Sequence, residues 1–131
     1  MNPYAAYTTQ AAQTASPAQL VLMLYNGVLG ELARATRGLS TDPVDLEDVN
    51  DCLGRAQAIV SHLSATLDRD RGGGVASNLS ALYTYCLERI VAANIAKRVD
   101  EIEDVAAILT DLRDAWEQGC VNGQPVAAVA G

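Results

Sequence analysis

Apolar residues along this chain recur mostly with the period of a helix. Leu46, Val49, Leu53, Ala56, Val60, Leu63 and Leu67 follow a 3-4-3-4-3-4 spacing, which sets them on one seam and favours packing at a shallow crossing angle. Ile102, Val105, Leu109, Leu112 and Trp116 repeat that spacing further on and predict a last helix. Between them, Leu79, Leu82, Tyr83, Cys86, Leu87, Ile90 and Ala93 mark another. The first block departs from the rule, because Leu20 to Tyr25 is an unbroken apolar run. At about 100° per residue such a run covers the whole circumference, whereas a surface helix needs one apolar stripe. Projected this way, Val21, Leu24, Tyr25, Val28, Leu32 and Ala35 share a core face, and Leu22, Met23 and Leu29 fall outside it. Two readings remain for the surplus: neighbouring elements cover it, or it forms a groove for a partner helix or extended segment.

Capping residues divide these blocks. Ser16-Pro17-Ala18-Gln19 joins an N-cap serine, a proline at the first helical position and a glutamine at N3. The helix it opens is predicted to end near Arg37, with Gly38 in the left-handed position after it. Asp42-Pro43 predicts the start of a second helix reaching about Asp68, and Gly72-Gly73-Gly74 a break before a third, which ends at Lys97-Arg98. Asp100, with Glu103 three residues on, predicts the cap of a fourth. The fold expected is all-α, an antiparallel up-down four-helix bundle over residues 16–118. Residues 1–15 are read as an N-terminal capping segment, docked or flexible, and residues 119–131 as a disordered tail.

Composition narrows the function. A formal net charge of −7 over 131 residues, with Lys97 the single lysine, repels phosphate backbones, so nucleic acid is not expected as a partner. No stretch approaches the ~20 apolar residues that span a bilayer, and the start of the chain lacks a basic then apolar leader. A cytoplasmic protein without membrane insertion is expected. Cys52, Cys86 and Cys120 show no C-x-x-C spacing and read as reduced thiols. His62 is the one histidine, which leaves no set of ligands for a di-metal bundle and few ways to give a serine or cysteine nucleophile its base and orienting group. The triple glycine lacks the Lys-Ser/Thr of a phosphate-binding loop. No enzyme, cofactor or metal site is expected.

The blocks "NPYAAY", "TASPAQLVLMLYNG", "ASNLSALYTYCLERIVAAN" and "LRDAW" occur in that order between Asn2 and Trp116. Together they resemble the flagellar secretion chaperone family FliS, the chaperones of flagellin. The resemblance implies a helical bundle that holds the C-terminal segment of flagellin against premature polymerisation and delivers it to the export gate protein of the flagellar type III apparatus. It places the N-terminal tyrosine motif at Tyr4 and Tyr7 and the helix-one block at Leu20 to Gly27. With the surplus above, this marks Tyr4, Tyr7, Leu20, Leu22, Met23, Tyr25 and Leu29 as partner-binding candidates. The chain departs from the family pattern at Gly74, after the paired glycines, and at Cys86, where methionine is common. Left open are a regulatory adaptor binding another flagellar protein, such as an anti-sigma factor, and the choice between monomer and homodimer.

Overall fold

A computed structural model describes residues 15–121, apart from the side chains of Arg69, Arg71, Cys120 and Val121. The proposed segments 1–15 and 119–131, and with them Tyr4 and Tyr7, lie wholly or mostly outside the described residues. Four helices follow one another: α1 (Pro17–Ser40), α2 (Leu46–Ala65), α3 (Arg69–Ala96) and α4 (Val99–Val121). Each packs on its neighbours in sequence, and α4 closes against α1. This is the all-α four-helix bundle expected from the seams.

α1 begins as its sequence dictates. Ser16 Oγ accepts from the Gln19 backbone N–H at 3.2 Å, and Gln19 Oε1 accepts from the Ser16 N–H at 2.9 Å, with Pro17 at the first helical position. These contacts occupy donors that a helix N-terminus otherwise leaves without partners. The predicted end is corrected: α1 runs through Gly38 to Ser40. Gly38 is buried inside the helix, where an added Cβ would stand 2.8 Å from Val49 Cγ2. It is therefore a point of close approach to α2 and not a left-handed cap. Thr41 takes over the capping, its hydroxyl donating to the Gly38 carbonyl at 2.9 Å.

Other boundaries shift too. α2 is capped by Asp45, whose Oδ1 accepts from the Asp48 N–H at 3.1 Å, so Asp42-Pro43 lies in the preceding loop. The glycines after Arg71 fall within α3, and the break there is confined to Gly73, at φ 54° and ψ −130°. Only glycine adopts such a conformation without strain. α4 starts at Val99, which puts Asp100 in its first turn and not at the cap, and it continues past Gly119 to Val121.

The core follows the seams except at Leu46, which opens the predicted α2 seam but is 51% exposed. Val49, Leu53, Ala56, Val60 and Leu63 of α2 are fully buried, as are Val105 and Leu109 of α4. At the centre, the Tyr25 and Tyr83 hydroxyls meet at 2.5 Å, and the Tyr25 ring lies 6.5 Å from both Tyr83 and Trp116 in tilted contacts. The Trp116 indole N–H donates to the Ala18 carbonyl at 2.9 Å, tying the end of α4 to the first turn of α1. Both arrangements give a partly polar aromatic a partner inside an apolar interior.

Candidate functional site

The apolar surplus of α1 is largely taken up by its neighbours. Val21, Val28, Leu32 and Ala35 are buried as projected, while Leu24 is half-buried. Leu22 and Leu29, expected outside the core face, are half-buried and pack against the core, and Leu20 and Met23 are half-buried too. Tyr25 requires a correction: its exposure is 0%, so it serves the core through Tyr83 and Trp116 and offers nothing to a partner in this fold.

Uncovered apolar surface is concentrated on α3 instead. Val75 (57% exposed), Leu82 (37%) and Tyr85 (45%) stand at i, i+7 and i+10, on one row along the helix. Leu82, counted among the core positions of its helix from spacing alone, is thereby corrected. Arg89 continues the row one turn beyond Tyr85 and pairs with Glu101 of α4 at 3.1 Å, which identifies this as the edge next to α4. On the opposite flank, Val91 and Ile95 (40% and 82% exposed) are one turn apart. They border an open groove of about 190 Å³ whose other wall is Asn50 and Gln57 of α2. The signal for this was present in the sequence, because the apolar positions of α3 occupy more than one stripe.

The remaining chemistry is structural. Among the described residues, no three histidine, cysteine or acidic side chains gather where they could hold a metal ion. His62 is exposed near the end of α2. Burial, reinforced by the Asp48 carboxylate, raises the Cys52 thiol above its ordinary value, and burial pushes the Cys86 thiol up to about 11. Both thiols therefore stay protonated near neutral pH and are poor nucleophiles. Arg34 pairs with Asp48 at 3.0 Å and Arg55 with Glu31 at 3.0 Å, two links between α1 and α2. No helix among the described residues is long and apolar enough to cross a membrane.

Uncovered apolar rows on a helical bundle are surface of the kind that binds another chain. The family model for the flagellar protein FliS matches residues 1–123, and the chain belongs to that family. It is 38% identical over 117 residues to the flagellar secretion chaperone FliS of Bacillus subtilis, covering 89% of this chain and 85% of the relative. The FliS chaperone of Salmonella typhimurium is 36% identical over 120 residues, or 90% of this chain and 87% of that one. A bacterial flagellar chaperone seen by crystallography superimposes with a TM-score of 0.74 at 20% identity, over 92% of this chain and 99% of the other, so the fold is shared. The family is one of chaperones and not of known enzymes.

Proposed function

We propose that this protein is a cytoplasmic export chaperone that binds the C-terminal segment of flagellin, keeps it from polymerising, and hands it to the export gate protein of the flagellar type III apparatus. The observation that carries this reading is the uncovered row Val75, Leu82 and Tyr85 on a bundle of the FliS family. A disordered segment with apolar stripes can fold into amphipathic helices against such a row, and covering the remaining exposed half of each large side chain contributes about 1 kcal/mol. Part of that gain offsets the cost of ordering the segment, so affinity depends on a long contact and not on one pocket. The half-buried Leu20 and Met23 of α1 and the tyrosines Tyr4 and Tyr7 are proposed as further contacts. Size-exclusion chromatography with light scattering, on the full chain mixed with the flagellin C-terminal segment, tests the reading. A one-to-one complex that Leu82→Asp and Tyr85→Asp weaken supports it. Two separately eluting species overturn it.

A further inference from the structure

Four of the exposed large apolar side chains gather at one end of the bundle. Val44 (43% exposed) lies in the loop between α1 and α2, and Leu46 (51%) opens α2. Leu46 precedes Asn50 by one turn on the same row, so it prolongs the groove lined by Asn50, Val91 and Ile95 towards that loop. Lys97 clamps the groove at this pole: its ammonium donates to the side-chain carbonyls of Asn50 and Asn94 and to the Asn94 backbone carbonyl. The strip runs between two antiparallel helices and is roughly two helical turns long, about 11 Å.

Its surroundings are acidic. Glu47 and Asp51 of α2, Glu88 of α3, and Glu103 and Asp104 in the first turns of α4 are all exposed around this pole. The cations nearby are already engaged, Lys97 by the asparagines and Arg98 by Asp100 at 3.1 Å. Arg34 and Arg37 border a different cleft, shared with Asp45 and Asp48 on the other side of α2.

Charge decides what suits this strip. Residues 1–16 and 114–131 contain no lysine or arginine, and a second copy of the chain would bring another net charge of −7 against the acidic rim. We infer that the strip formed by Val44, Leu46, Val91 and Ile95 is a docking surface for a basic amphipathic helix of another protein, separate from the row proposed for flagellin. Apolar anchors of such a helix fill the groove between α2 and α3, and its lysines or arginines face the acidic rim.

The test is an NMR titration of the isotope-labelled full chain with a synthetic 18-residue helical peptide of leucine and lysine, with leucines at i, i+3, i+4 and i+7. Shifts are expected to concentrate at Val44, Leu46, Asn50, Val91 and Ile95 and to weaken with added salt. Ile95→Ser should reduce affinity about tenfold, the equivalent of losing one well-buried aliphatic anchor, while Leu82→Ser should leave it unchanged. Shifts along Val75, Leu82 and Tyr85, no binding, or equal binding of a peptide whose leucines are replaced by serine would overturn the inference. The flagellin segment provides the separating control. Ile95→Ser should leave its binding intact, and a joint loss of both would show the strip to be part of the client surface. Failure of the flagellin segment to bind at all, with the peptide still mapping to the pole, would count only against the chaperone reading.

Discussion

The hydroxyls of Tyr25 and Tyr83 form a buried hydrogen bond at 2.5 Å between α1 and α3, helices that stand diagonally across the bundle. Removing either hydroxyl leaves the other without a partner, at a cost of about 1–3 kcal/mol, whereas removing both replaces a polar pair by two apolar rings. In urea denaturation, Tyr25→Phe and Tyr83→Phe are each expected to destabilise, and the double variant by clearly less than their sum; strict additivity would contradict a coupled pair. Titration acts on the same region. Burial raises Tyr25 and Tyr83 above the usual phenol value of 10.0 and Cys86 from 9.0 to about 11. Each folded-state value lies above its unfolded one, so the stability these neutral groups contribute is complete below pH 9; the Cys86 share is lost as the pH rises through about 11, and the tyrosine share only above the usual phenol value of 10.0. Thermal melts should accordingly be flat from about pH 7 to 8.5 and fall above about pH 9. Tyr25 shows what a helical projection can and cannot supply. Its place on the core face was legible from spacing, but its partner 58 positions away was not, and without that partner the residue also looked available for binding.

Glycines at the element scale separate close approach from free space. Gly38 lets α1 and α2 meet, and Gly38→Ala would bring a Cβ within 2.8 Å of Val49 Cγ2, so a loss of about 1–3 kcal/mol is expected from overpacking. Gly30 and Gly54 sit in the same two helices with nothing within 4 Å of an added Cβ. Alanine at either should raise stability by up to about 1 kcal/mol through helix propensity. Thermal unfolding of the three variants checks both signs. Four helices and their buried seams were readable because a 3-4 spacing permits few alternatives, and the Ser16 box because both of its partners lie within one turn. Boundaries set by tertiary contact were not. Gly38 serves the close approach of Val49 inside the helix and not a helix end, and the α2 cap lies at Asp45, after a loop in which the Thr41 hydroxyl donates to both the Gly38 and Pro43 carbonyls. The several apolar stripes of α3 were visible in the sequence, but which of them stays uncovered was hidden for a related reason. Leu82 and Tyr83 look alike in a hydropathy pattern, and only the position of α4 leaves one 37% exposed and the other 2%.

At the scale of the whole molecule, an acidic bundle of the FliS family keeps a well-packed interior while leaving apolar side chains uncovered along α3. Such surface is costly to leave in water and is consistent with a chain that spends part of its life covered by another. We propose that a flagellin segment folds on this surface as it binds. The most direct measurement is calorimetric titration of the full chain with the C-terminal segment of flagellin from the same cell, repeated at several temperatures, with circular dichroism followed in parallel. Binding near one-to-one, a negative heat-capacity change and a gain of helix beyond the sum of the separate components are expected. No heat and no gain of helix, from a chain shown by its melt to be folded, would contradict the proposal.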